Sequence, residues 1–155
     1  MTSWYLVPDD VKRLLTLAAE QWEDTAASEA YVNQALAIAG DNPDVLISAY
    51  RYFFYKRQDR SALQVALKVI EQVRAVEHLP DLWENLKPIL LQRKEDPQIR
   101  LYLNAYAASG LILARLGEVE KAKEIATQVN EIDDRKEFGA AVVLNILTPS
   151  LDEDE

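Results

Sequence analysis

Proline recurs along this sequence at positions that each open a run of apolar residues with helical spacing. These positions are Pro8, Pro43, Pro80 and Pro97, and an Asp follows each of the first three. Proline favours the first turn of a helix, where its missing N–H is not needed, and Asp there suits the positive end of the helix dipole. The first two prolines are 35 residues apart and the third follows 37 residues later, a period typical of paired antiparallel helices. The sequence therefore predicts an all-α protein built from repeated helix pairs.

The spacing of apolar residues predicts three helix pairs, one interruption and one further helix. Gly40 and the Asn42-Pro43 step end the first pair, and Gly117 is a hinge within the last. Pro88 is expected to kink the helix opened by Pro80 or to split it in two. The predicted boundaries are about 8–40, 43–77 and 97–132 for the pairs, 80–95 for the insertion and 134–147 for the C-terminal helix, about seven or eight helices in all.

Length and composition predict one folded domain followed by a short tail. The chain has 155 residues, of which 49% are apolar and 28% charged, close to ordinary globular proteins. We expect a single domain over residues 1–148. The last four residues are all acidic, so residues 149–155 are expected to form a disordered, solvated tail.

The charge and the residue usage exclude several function classes. A formal charge of −9 disfavours contact with nucleic acid or with anionic membrane surfaces. The sequence contains no Cys, and residues 1–10 lack the basic and apolar regions of a secretory signal. We therefore expect a soluble cytoplasmic protein.

The last helix pair carries a pattern of small and large residues at defined spacings. The pattern consists of Gly110, Leu113, Gly117, Ala122 and Ala126, with Tyr106 one helical turn before Gly110. It resembles the tetratricopeptide repeat, in which small residues let the two helices approach closely. The middle pair is similar at Ala49, Phe53, Ala62 and Ala66, and the first pair less so, around Ala19, Trp22 and residues 27–35. The resemblance implies a right-handed superhelix, an α-solenoid, with a concave groove that receives a partner protein.

The segment 50–57 contains five aromatic residues among its first six positions and is the first candidate for partner binding. On a helix these rings surround most of the circumference, so two interpretations stay open. Either the helix is buried on two sides, or some rings line a groove together with Arg, as at many protein interfaces. The groove candidates are Tyr50, Phe53, Phe54 and Arg57.

The resemblance implies a second set of groove residues in the last pair. The positions of the family that face the groove correspond to Asn104, Ala107, Leu111 and Arg115. Some members bind terminal carboxylates through Lys, Asn and Arg, but the first pair here offers Thr16 and Glu20 on the comparable face. Glutamate repels a carboxylate, so we expect a ligand held by apolar and aromatic contacts.

The sequence offers little for catalysis or for metal and cofactor binding. Its single histidine, His78, has no Cys or second His beside it and is expected to be a helix-end or turn residue. No phosphate-binding glycine loop is present, and the acidic residues follow polar helix faces. We expect no catalytic residues, no metal and no cofactor. An enzyme with a carboxylate site in residues 80–95 is the alternative, and it would require perturbed carboxyl pKa values.

The sequence thus predicts a protein–protein interaction module, an adaptor or a small dedicated chaperone, whose partner it does not identify. The stretch 138–147 is apolar nearly all round, so we expect it to be covered by the chain's own groove, by a second copy in a homodimer or by a partner. One alternative is therefore a homo-oligomeric structural or accessory subunit. Another is a bacterial secretion-type chaperone, which small acidic tetratricopeptide proteins resemble.

Overall fold

The computed structural model describes residues 7–133, and all regular structure in this range is α-helical. This confirms the all-α class. The seven helices of this range are α1 (Asp9–Glu20), α2 (Thr25–Ala39), α3 (Pro43–Tyr55), α4 (Asp59–Glu77), α5 (Trp83–Gln92), α6 (Pro97–Arg115) and α7 (Val119–Ile132). The predicted C-terminal helix 134–147 and the acidic tail 149–155 lie outside the described residues.

Two of the four predicted proline starts are the first residues of helices. Pro43 opens α3 and Pro97 opens α6, and each is preceded by a side chain that caps the helix. Asn42 Oδ1 accepts from the backbone N–H of Asp44 at 2.9 Å, and Asp96 Oδ1 accepts from that of Gln98 at 2.9 Å. Proline and cap together define these two helix starts.

The other two prolines lie outside the helices that follow them. Pro8 is the N-cap of α1, which begins at Asp9. The prediction that Pro80 opens a helix is wrong, because α5 begins at Trp83 with Leu82 as its N-cap. A proline that suits a helix start does not oblige the chain to begin a helix there.

Of the two effects predicted for Pro88, a kink or a split, the split does not occur, and the kink stays a prediction. Pro88 lies inside α5, past its first turn, and α5 continues to Gln92. Pro88 cannot donate to the carbonyl of Glu84, but both residues are exposed, so water can satisfy that carbonyl. The opposite face of α5 is buried through Leu86 and Leu90, which holds the helix together in spite of the missing hydrogen bond.

The chain divides into two compact units, Met1–Val65 and Ala66–Glu155, with α4 crossing the boundary. In the first unit α2 contacts both α1 and α3. The buried residues Val7, Val11, Ala35 and Val45 form its core, against which Leu14, Leu15, Leu36 and Ala39 pack. The single domain over residues 1–148 stays a prediction.

In the second unit α7 contacts both α6 and the insertion helix α5. Trp83 Nε1 of α5 donates to Glu131 Oε2 of α7 at 3.1 Å, and Lys87 Nζ lies 3.5 Å from the same oxygen. The insertion is therefore attached to the last helix by a hydrogen bond and an ion pair.

The turn that follows α3 and the turn that follows α6 have the same geometry. Gln58 donates its backbone N–H to the Phe53 carbonyl at 2.8 Å, and Glu118 donates to the Leu113 carbonyl at 2.9 Å. The preceding residue of each turn is left-handed, with φ of 60° at Arg57 and 86° at Gly117. This is the Schellman motif, which satisfies the last carbonyls of a helix. The two turns therefore correspond residue for residue.

Burial after the two turns follows the same correspondence. The buried small residues Ala62 and Ala66 correspond to Ala122 and Ala126, and Val69 to Val129. The turn of the first helix pair is built differently. There Asp24 caps α2, and its Oδ1 accepts from the backbone N–H of Ala27 at 3.1 Å. The chain thus contains a repeated turn in the two later helix pairs.

Gly110 marks a close contact between α6 and α7. A β-carbon at this position would lie 2.9 Å from Cγ2 of Ile125, which is closer than side chains tolerate. Ala122 and Ala126 are buried on the facing helix. The small residues predicted for a close approach therefore lie where two helices do approach closely.

Exchanging residues at the two left-handed turn positions should change stability in opposite directions. Gly117 adopts its positive φ without strain, whereas a residue with a β-carbon is strained there by about 1–2 kcal/mol. We expect Gly117→Ala to lower the free energy of unfolding by about 1 kcal/mol. Arg57→Gly should raise the free energy of unfolding by up to about 1 kcal/mol. The gain is reduced by the conformational entropy that glycine adds to the unfolded chain. Urea denaturation measures both.

The matched control is Arg51→Gly, six residues earlier on α3. Arg51 is also exposed but lies within α3, so glycine there should lower the free energy of unfolding by about 0.5–1 kcal/mol. If Arg57→Gly destabilised the protein as much as this control, the left-handed conformation of Arg57 would be contradicted.

A methyl group at Gly110 should destabilise the second unit through Ile125. The β-branched Ile125 is stiff within α7, so Gly110→Ala is expected to lower the free energy of unfolding by about 1 kcal/mol or more. In an Ile125→Ala background the same change should stabilise by about 0.5–1 kcal/mol, because alanine is the better helix former. A double-mutant cycle of the four proteins tests this. The same sign in both backgrounds would contradict the close contact.

Candidate partner-binding site

The aromatic residues of α3 divide into an inner and an outer group. Tyr52 and Phe53 are buried, whereas Tyr50 and Phe54 are half-buried and Tyr55 is 69% exposed. Phe53 keeps 2% of its area exposed and belongs to the core, so it offers no surface to a partner. The candidates on this helix are therefore the outer residues.

Tyr52 of the inner group contacts the turn between α1 and α2 and the beginning of α2. The Tyr52 hydroxyl shares a hydrogen bond with the buried Ser28 Oγ, and the Trp22 ring meets that of Tyr52 edge to face at 5.5 Å. Lys56 Nζ lies 4.3 Å from the centre of the Trp22 ring and donates to the Trp22 carbonyl. These contacts fix the rotation of α3 about its axis and thus which of its residues face outward.

The outer rings contact one another along α3. Tyr50 and Phe54 are 5.8 Å apart in a tilted arrangement, and Phe54 and Tyr55 are 5.3 Å apart edge to face. Arg57 is exposed but lies in the turn after the helix. The structure therefore brings Tyr50 and Phe54 together and places Arg57 beyond them.

The correspondence of the two turns adds two candidate residues that the sequence analysis did not select. With Arg57 matched to Gly117, Arg51 and Tyr55 correspond to Leu111 and Arg115, two of the predicted groove residues. Arg51 and Tyr55 are both exposed and stand one helical turn apart. Aligning the segment 50–57 on the last pair at the turn would have selected them, whereas the density of aromatic residues selected Phe53 instead.

The predicted groove residues of α6 lie in the second unit and differ in exposure. Asn104 is exposed, and its Nδ2 donates to the Arg100 carbonyl at 3.0 Å. Leu111 is half-buried and packs against the buried pair Ala126 and Val129. Arg115 is half-buried in the last turn of α6. Asn104 is thus the most accessible of the three.

Two tyrosines on α6 form a polar link through the second unit. The rings of Tyr102 and Tyr106 stack at 5.8 Å, with Tyr102 fully buried. The Tyr106 hydroxyl donates to Gln128 Oε1, and Arg74 Nη2 donates to the Tyr102 hydroxyl at 3.4 Å. Burial raises the pKa of Tyr106 to about 12. The pair is structural and connects α4, α6 and α7.

A second polar cluster joins the end of α4 to the turn before α6. The Arg93 guanidinium bonds to the carboxylates of Glu77 and Asp96, the latter at 2.6 Å from Nη2. The hydrogen bond from Arg93, followed by that from the backbone N–H of Gln98, holds the pKa of Asp96 below its usual value. These charges are mutually satisfied and thus have a structural role.

His78 lies directly after α4, is exposed and has a φ of 54°. Leu79 donates its backbone N–H to the Arg74 carbonyl at 3.0 Å, which closes the helix end as the sequence analysis expected for this position. Among residues 7–133, no group of three or more His, Asp or Glu side chains comes together in a way that could hold a metal ion. Within the same range, none of the helices is both long and apolar enough to cross a membrane.

The chain is 30% identical over 133 residues to an "Uncharacterized 19.8 kDa protein in nifW 5'region" of Azotobacter chroococcum mcd 1. The matched residues are 84% of this chain and 74% of the relative. The chain belongs to the same family as this Azotobacter protein. No protein-family model and no solved structure matches it.

The raised pKa of Tyr106 predicts a loss of stability in alkali. The folded state holds the phenol proton more tightly than the unfolded state, whose tyrosine pKa is about 10. The stabilisation is therefore fully present below pH about 10, and the free energy of unfolding should fall as the pH rises towards about 12. Tyr106→Phe should reduce this fall, which denaturation at a series of alkaline pH values measures.

Tyr55→Phe is the control for the alkaline loss, because the Tyr55 ring is largely exposed and packs against the ring of Phe54. This variant should follow the wild-type curve. An unchanged alkaline curve in Tyr106→Phe would exclude Tyr106 as the cause.

Proposed function

We propose that this protein is a protein–protein interaction module of tetratricopeptide-repeat type, an adaptor or small dedicated chaperone that binds a segment of a partner protein. The observation that carries the proposal is the repeated turn of the two later helix pairs, with left-handed residues at Arg57 and Gly117. Repeats of short helix pairs present a row of equivalent helix faces, which suits them to binding extended or helical peptides.

The proposed binding residues of the first unit lie on the exposed side of α3. Arg51 and Tyr55 on α3 supply an arginine and a tyrosine, the residue types that anchor many interfaces. Asn104 of α6 is exposed in the second unit and stays a separate candidate, because the correspondence of the turns matches it to Asp44 and not to Arg51 or Tyr55. This assignment keeps the aromatic contact expected from the sequence, with the exposed Tyr55 in place of the buried Phe53, and adds the charged Arg51 to it.

The Azotobacter relative suggests where to look for the partner. Its gene lies in the 5′ region of nifW, and neighbouring genes often encode proteins that act together. We propose the nifW product as the first partner to test, in the cytoplasm, which suits a chain without cysteine. Binding to an exported substrate as a secretion-type chaperone is a narrower version of the same proposal.

Co-expression with the nifW product and with the products of adjacent genes tests the proposal. We expect a complex that survives size-exclusion chromatography and a dissociation constant measurable by calorimetry. Tyr55→Asp should weaken this complex by at least about tenfold, because it puts a charge in place of an aromatic anchor.

The control is Ile38→Asp, which changes another exposed apolar residue, on α2, and should leave the affinity within about twofold. Equal losses in the two variants would reject the α3 face. Failure to bind any neighbouring product, combined with concentration-dependent dimerisation in sedimentation, would favour the homo-oligomeric subunit instead.

A further inference from the structure

The chain segment around the turn between α3 and α4 is strongly basic. Residues 51–60 contain four basic residues and one acidic residue, a net charge of +3 in a protein whose formal charge is −9. Arg51 lies on α3, Arg57 in the turn and Arg60 in the first turn of α4. We call these three arginines the basic cluster.

The basic cluster is exposed and forms no ion pair with another residue of the described range 7–133. All three side chains are exposed, and the ion pairs formed within residues 7–133 do not involve them. Arg93, in contrast, is paired with Glu77 and Asp96. An external anion could therefore bind the basic cluster without breaking any of the ion pairs within residues 7–133.

The fourth basic residue of this segment, Lys56, has an internal role. Its ammonium group lies over the Trp22 ring and bonds to the Trp22 carbonyl. Glu29 Oε2 accepts a hydrogen bond from Nε2 of Gln58, a residue of the same turn, at 3.4 Å. Neither residue thus competes with an external ligand for the basic cluster.

Tyr55 adds an aromatic surface next to the basic cluster. It stands one helical turn from Arg51, and its ring is 69% exposed. Guanidinium groups bind carboxylates through paired hydrogen bonds, and an exposed ring beside them accepts an apolar side chain. The combination fits a ligand that carries carboxylates and apolar groups side by side.

We propose that the basic cluster and Tyr55 bind an acidic peptide segment of the partner protein. Its carboxylates pair with Arg51, Arg57 and Arg60, and an apolar or aromatic side chain packs on Tyr55. This inference rests on the proposed function and specifies the chemistry of the partner. A nucleic acid would extend beyond the basic cluster, and its phosphates would be repelled by the rest of a chain whose formal charge is −9. A short acidic peptide would contact only the basic cluster and so avoid this repulsion.

Selection from a random-peptide phage library on the full-length protein tests this inference. Selected peptides are synthesised with a fluorophore, and their dissociation constants are measured by anisotropy. The cluster variant is Arg51→Gln/Arg57→Asn/Arg60→Gln, in which asparagine preserves the left-handed turn position. The matched control, Arg13→Gln/Lys68→Gln/Lys121→Gln, removes the same charge from exposed positions elsewhere. Circular dichroism checks that both variants are folded.

We expect selected peptides to be enriched in Asp and Glu next to apolar residues. The cluster variant should raise their dissociation constants by about tenfold, the sum of several modest exposed ion pairs, and the control by no more than about twofold. Raising the salt concentration from about 0.1 M to about 1 M should weaken the wild-type complex towards the level of the cluster variant. Should the triple variant fold poorly, the single variant Arg51→Gln should still weaken binding by about twofold.

Three outcomes would overturn the inference in distinguishable ways. Selected peptides without acidic enrichment, or with equal affinity for the cluster variant, would reject it while leaving the proposed function intact. Failure to enrich any peptide would count against the proposed function itself. Tight binding of polyuridylic acid that is lost in the cluster variant would assign the basic cluster to nucleic acid.

Discussion

The close contact between α6 and α7 at Gly110 determines much of the second unit. A β-carbon there would lie 2.9 Å from Ile125 Cγ2, so the two helices can approach this closely only with glycine at this position. The approach brings Tyr106 of α6 within hydrogen-bonding distance of Gln128 on α7. A half-buried phenol would otherwise lack a partner, and its raised pKa reflects this burial. One small residue thus sets both the apolar packing and the polar link.

Helix α3 is followed by the same turn as α6, but the side chains at corresponding positions of the two helices differ. Tyr50 corresponds to Gly110, so a ring stands where the last pair has no side chain. Tyr52 is fixed by Ser28 and Trp22, and Lys56 covers the Trp22 ring. Because these contacts hold the inner side of α3, its outer side is left to vary without loss of the fold. An outer side of this kind is where recognition residues are expected.

The helices could be predicted from the sequence where two independent signals agreed. At Pro43 and Pro97 a proline coincides with a capping side chain, and both helices begin there. Pro80 was followed by Asp and an apolar run but had no cap, and α5 begins at Trp83 instead. Pro88 was expected to kink or to split α5, and the helix is not split; Pro88 lies on its exposed face.

The candidate site was harder to predict because it depends on the rotation of α3. Five aromatic residues surround the helix, so their number does not reveal which of them face outward. That rotation follows from Trp22 and from the left-handed turn at Arg57, a conformation that arginine does not signal in a sequence. Phe53, predicted to line the groove, is buried, whereas Tyr55, which was not predicted, is the most exposed ring of the segment.

The distribution of positive charge separates structural from recognition roles. Arg74 and Arg93 hold carboxylates of the second unit, so neither can pair with a ligand without giving up a contact of the fold. Lys56 is likewise committed to Trp22. Arg51, Arg57 and Arg60 are exposed and outside these pairs. In a chain of charge −9, an exposed positive segment adds little to stability, because isolated surface charges contribute little. This segment instead attracts negatively charged molecules to its part of the surface. It favours a partner whose negative charge is confined to a short segment.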